Sequence, residues 1–137
     1  MAFSGLQVQY VIAGAEELAD DAALAFNTSV ETQGTYISFN AGTGEISIDQ
    51  PGNYYISWWI SVSGSPTAST LAFELQIDGV THSSSTAPIS ITQLSGSDFI
   101  NITTTPALIT LNNTSGDSVF LDPLAATANL SITYLEP

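Results

Sequence analysis

The sequence predicts an all-β fold, a β-sandwich or jelly roll of about ten short strands, on three observations. Short runs of alternating apolar and polar residues recur along the chain, the period of a strand with one buried face. Turn-forming clusters rich in glycine, proline, asparagine and aspartate separate these runs. The 137 residues are 44% hydrophobic and only 9% charged, which supplies one sizeable core and is far from the composition of a disordered chain. A single domain over residues 1–137 is expected.

The elements follow in order. Leu6, Val8, Tyr10 and Ile12 alternate in the opening segment. Residues 15–24 contain helix formers but are few for an isolated helix, so a short helix and an irregular connection both fit. Strands at 36–39 and 45–48 flank Asn40-Ala41-Gly42-Thr43-Gly44, whose glycines can take the positive φ of a tight hairpin. Pro51-Gly52 launches 54–62, the most informative strand: Tyr54, Ile56, Trp58, Ile60 and Val62 face one way, and Tyr55, Ser57, Trp59 and Ser61 the other. Leu71, Phe73, Leu75 and Ile77 then alternate against Ala72, Glu74 and Gln76 up to Asp78-Gly79, a pair suited to a primed hairpin turn. His82 and Ser83-Ser84-Ser85 read as a mobile loop. Further strands are expected at 89–91, 99–102, 107–111, 118–121 and 128–135. The predicted core contains Tyr54, Ile56, Trp58, Phe73, Leu75, Ile77, Leu130 and Ile132. Ser57, Ser61, Gln76 and Ser131 lie on the opposite faces, an assignment that a one-residue slip would reverse.

Charge excludes whole classes of partner. The chain has no lysine or arginine against 13 acidic residues, a formal net charge of -13. It has no cations with which to neutralise phosphates, so nucleic-acid binding is not expected, nor is attachment to anionic membranes. Internal salt bridges are not expected either, leaving each carboxylate solvated, hydrogen-bonded to neutral donors, metal-bound or protonated. No stretch approaches the roughly 20 apolar residues of a membrane helix. The absence of cysteine excludes a disulfide scaffold and thiolate metal sites.

Catalytic constellations are sparse. His82 is the one histidine, no nucleophile-elbow motif surrounds a serine, and His82 is read as an exposed loop residue. Glu16, Glu17, Asp20 and Asp21 read as a solvated acidic patch, with calcium ligation as the alternative, although no EF-hand spacing is present. No cofactor and no enzymatic activity are expected. Tyr55 and Trp59 stand out instead. With Trp58 facing the core, Trp59 must lie on the opposite face, where a large aromatic calls for a cover. A subunit interface would cover it, as would a loop or strand of the same subunit; an uncovered ring would suit carbohydrate stacking.

The residues also resemble a known family. Phe3 in an opening strand, Tyr36 and Phe39 before Gly42-Thr43-Gly44, the run Pro51-Gly52-Asn53-Tyr54-Tyr55-Ile56-Ser57, the Ile77-Asp78-Gly79 hairpin and the closing Ala128-Asn129-Leu130-Ser131-Ile132 are similar to the complement-head and tumour-necrosis-factor-like superfamily. Within it, Tyr54-Tyr55-Ile56-Ser57-Trp58-Trp59 and the Thr/Ser/Asn-rich strands resemble the carboxy-terminal domains of bacterial collagen-like spore-surface (exosporium, BclA-like) glycoproteins. The resemblance implies a ten-strand, TNF-like jelly roll and a compact homotrimer at the end of a collagen-like stalk on a spore or other extracellular surface. It also implies a structural, display role rather than catalysis. The sequence departs from that pattern in lacking lysine, arginine and a Gly-X-Y stalk. A glycan- or receptor-binding module on the same fold is the alternative, and it predicts an exposed aromatic platform flanked by Asn or Asp.

Overall fold

A computed structural model describes residues 3–12, 14–124 and 126–137. Twelve strands follow one another: β1 (Gly5–Tyr10), β2 (Glu16–Leu18), β3 (Thr28–Gln33), β4 (Ile37–Asn40), β5 (Glu45–Ile48), β6 (Gly52–Gly64), β7 (Thr70–Ile77), β8 (Val80–Pro88), β9 (Gln93–Ile102), β10 (Ala107–Asn113), β11 (Val119–Leu121) and β12 (Ala128–Glu136). They form two antiparallel sheets. The seven-stranded sheet runs β2-β11-β6-β12-β1-β3, with β9 also paired to β6, and the five-stranded sheet runs β4-β5-β10-β7-β8.

The core lies between the sheets, where the alternation of β6 put it. Tyr54, Ile56, Trp58, Ile60 and Val62 are buried, and they meet Leu71, Phe73 and Leu75 of β7 and Leu130 and Ile132 of β12. Two details differ from the expected core. Ile77 is only partly buried, because β7 ends there and turns away. Ser61 is buried despite its outward register: its amide bonds to the Thr127 carbonyl at 2.8 Å, and the Gln93 side chain reaches its hydroxyl at 3.4 Å.

The tip of the β7–β8 hairpin has the primed geometry expected of Asp-Gly, with φ of 52° at Asp78 and 79° at Gly79. Elsewhere the pattern misled. Ser83–Ser85 is not a loop but the middle of β8, whose inward positions Ser83, Ser85 and Ala87 are too small to give an apolar rhythm. Residues 89–91 form the turn after it. Segment 15–24 is not helical. It gives β2, a turn, and then an extended strap whose Leu24 and Phe26 are buried and whose backbone bonds to β10, Leu24 N to Leu111 O at 2.9 Å and Asp21 N to Asn113 O at 2.7 Å. With β2 and β3 the count becomes twelve rather than about ten.

Carboxylates without cations are held by neutral donors. Ser38 and Ser47 donate to the two oxygens of Asp49, each at 2.8 Å, and Thr81 donates to Glu74 at 2.6 Å. Hydrogen bonds from the Thr67 hydroxyl and the Ser118 amide hold the Asp117 carboxyl below the usual carboxylate range.

Two tyrosines report on packing. The Tyr54 hydroxyl donates to the Gln50 carbonyl at 2.6 Å. Burial, reinforced by Tyr134, Tyr36 and Asp49, pushes its pKa up to about 12. Burial and a hydrogen bond to Glu16 push Tyr10 up to about 12 as well. Both values lie above the ordinary 10.0, so the protonated forms favour the fold. Stability is undiminished below that ordinary value and falls as pH rises towards the folded values. In a spectrophotometric titration of the 5 tyrosines, Tyr54→Phe is expected to remove one late-ionising ring.

Candidate functional site

The outer face of the seven-stranded sheet is the site with the most distinctive chemistry. Register places Tyr55 of β6 between Thr133 of β12 and Phe99 of β9, Ser57 between Ser131 and Ser97, and Trp59 between Asn129 and Ser95. On the far side of β12, Gly5, Gln7 and Gln9 of β1 continue the same three rows.

The first row is aromatic. Phe99 is 73% exposed and its ring centroid lies 5.1 Å from that of Tyr55 at an interplanar angle of 50°, within the favourable range for an aromatic pair. Phe3 extends the row over Gly5: a Cβ at Gly5 would sit 3.0 Å from the Phe3 ring, so glycine lets the ring lie on the sheet. The middle row is small and hydroxylic. The third row sets the half-buried Trp59 beside an amide network in which Gln7 and Gln9 donate to Asn129 Oδ1 at 2.7 and 3.2 Å.

No carboxylate occupies these rows on β1, β12, β6 or β9. The nearest by register are Glu31 on edge strand β3, opposite Gln7, and Glu136 at the end of β12, opposite Asn53. For a chain with 13 acidic residues, the part of this face on these four strands can leave water without desolvating a charge of its own, and its amides already have partners.

The candidate residues from the sequence therefore meet here: Tyr55 and Trp59 share one face, Tyr55 in the first row and Trp59 in the third. Phe99 and Phe3 belong with them and were missed. Phe99 had a signal, because the inward parity of Ile100 and Ile102 sends it outward; Phe3 had none, since its position depends on lying across Gly5.

The other candidates do not converge. Glu16, Glu17, Asp20 and Asp21 are exposed; Glu16 accepts from the Tyr10 hydroxyl and Asp20 accepts from the Gly116 amide at 2.9 Å. Among the described residues, no three His, Cys, Asp or Glu side chains gather around a metal-sized site. His82 lies on β8 rather than in a loop, 4.0 Å from Asp98. That approach corrects the expectation that no internal ion pair is possible.

The fold is a tumour-necrosis-factor-like jelly roll. Among solved structures, Eiger TNF from S. frugiperda matches with a TM-score of 0.73 at 12% identity over 98% of this chain and 94% of that one. Murine APRIL at pH 8.0 matches with a TM-score of 0.72 at 12% identity over 97% and 99%. The globular domain of zebrafish complement 1qA protein gives 0.63 at 15% identity over 95% and 93%. At such identities the likeness is one of fold. No protein-family model matches the chain, and no curated protein sequence matches it. Among the described residues, no helix is long and apolar enough to cross a membrane.

Proposed function

We propose that residues 1–137 are one non-enzymatic head domain that trimerises through the uncharged aromatic face and thereby presents a surface, with Tyr55 and Trp59 in the subunit interface. In its finest form, the proposal is that this head caps a collagen-like filament on a bacterial exosporium or another extracellular surface. One observation carries the core of the proposal: the face that holds Phe3, Tyr55, Phe99 and Trp59 carries no carboxylate in its three rows on β1, β12, β6 and β9. A cyclic assembly hides such a face without growing into a fibre, and the sequence resemblance to trimerising head domains favours three subunits. The finer placement on a spore surface rests on that resemblance alone.

Light scattering at micromolar concentration is expected to give three times the 14.3 kDa of one chain. A monodisperse monomer would refute the assembly. Since three chains bring together three times 13 acidic residues, moderate salt is expected to strengthen association relative to low salt. That dependence is read by dilution at two ionic strengths.

A second function has one observation in its favour. Asn101 donates to Asn53 at 2.9 Å beside Phe99, in a cleft of about 370 Å³ that Leu135 and Glu136 also line, and aromatic faces with neighbouring amides suit carbohydrate. A glycan array separates the two roles. Capture that Phe99→Ala abolishes would mean that this ring is open to ligand rather than buried between subunits and would support recognition, whereas no capture together with a trimeric mass would support assembly alone.

A further inference from the structure

The edges of the two sheets are stitched together where β8 comes against β9. Ser85 donates to the Ser95 carbonyl at 2.8 Å, and His82 Nε2 lies 3.2 Å from the Phe99 carbonyl. The same Nε2 is 4.0 Å from Asp98 Oδ1, and the Asp98 side chain is only 7% exposed. Asp98 sits opposite Ile56, on the core side of β9, and its Oδ2 is buried without a hydrogen-bond partner. A buried carboxylate with one oxygen unsatisfied is costly in its charged form. With no lysine or arginine in the chain, His82 is the one side chain able to supply a counter-charge.

We propose that the β8–β9 seam is a pH-operated latch: protonated His82 pairs with Asp98 and fastens the two sheet edges, and neutral His82 leaves the buried carboxylate uncompensated and the seam looser. The remaining carboxylates on elements packed against β8 are engaged elsewhere. Glu74 of β7 accepts from Thr81 at 2.6 Å and Ser84 at 3.5 Å, and Asp78 in the turn accepts from the Leu108 amide at 2.9 Å. From β6, Ile56 and Trp58 face β9 on the core side and neither titrates. Protonation of the His82 imidazole is what fastens the latch, so its contribution is larger in acid than in base. The device is internal to one subunit and does not depend on the oligomer proposed above.

The test compares thermal unfolding of the full chain with that of His82→Gln and Asp98→Asn at about pH 5.5 and about pH 8, pH values on either side of the imidazole range. His82→Gln keeps all 13 carboxylates, so their common response to acid cancels in the difference. The wild type is expected to unfold roughly 4 °C above His82→Gln at the lower pH and level with it at the higher, and Asp98→Asn is expected to abolish that acid-dependent advantage. Amide exchange along β8 should slow in parallel in the wild type alone. Parallel profiles for wild type and His82→Gln would overturn the latch. That comparison stands even where Asp98→Asn fails to fold, because His82 is exposed.

Discussion

A chain carrying Phe99→Ser and Trp59→Ser is expected to scatter light as a 14.3 kDa monomer while keeping the β-sheet circular dichroism of the wild type. Both side chains stand on the outer face of the seven-stranded sheet, in register with Tyr55 and Asn129 rather than with the core residues Ile100 and Trp58, so their loss leaves no cavity between the sheets. At an interface, buried aromatic anchors are worth about 2 kcal/mol or more each, and about 1.4 kcal/mol is a tenfold change in an association constant. Removing two anchors from every subunit is therefore expected to shift assembly by several orders of magnitude. A companion variant separates local from overall charge. Ser57→Lys in the middle row lowers the net negative charge, which would favour association if repulsion governed it. It also places a cation on the face to be desolvated, which should prevent association. Ser38→Lys on β4, where Asp49 offers a partner, is expected to leave the mass unchanged. A Ser57→Lys protein that remains trimeric would place the interface elsewhere.

The second large effect concerns the core. Trp58 packs its indole directly over Gly96 of β9, so closely that a Cβ there would lie 2.7–2.8 Å from three indole atoms, and its ring centroid is 6.4 Å from that of Phe73. Trp58→Ala is expected to cost about 3–5 kcal/mol, a large share of the roughly 5–15 kcal/mol that stabilises a typical domain. Gly96→Ala should cost about 1–3 kcal/mol by overpacking. The two are coupled: with Trp58→Phe already in place, Gly96→Ala should be much better tolerated, because the smaller ring leaves room for the methyl group. Denaturant unfolding of the two single variants and the double variant measures that coupling. Additive costs would mean that the indole does not occupy the space over Gly96.

Legibility in the sequence followed apolar contrast. β6, β7 and β12 announced themselves because each sets large apolar side chains against small or polar ones, and that parity alone put Tyr55 and Trp59 on one outward face. β8 and β3 were illegible for one shared reason. They lie at sheet edges, where neither face needs a large apolar residue, so Thr-Ser-Val-Glu-Thr-Gln and the serine run of β8 carry no period. The strap over β10 was ambiguous because its alanines suit helix, and its extended form is set by backbone partners on Leu111 and Asn113 that lie far away in sequence. Asp98 shows a different limit. Its parity with Ile100 already sent it inward, but only the fold brings a residue of β8 beside it.

The carboxylates held by hydroxyls on Asp49, Glu74 and Asp117 have a colloidal consequence. Such groups neither need nor seek cations from a neighbouring copy. On the proposed assembly, the molecule would be a two-faced particle, joined to its copies through one uncharged side and mutually repellent on its acidic sides. Finished assemblies crowded side by side on a common support would keep their spacing and remain separate, as bristles of like charge do.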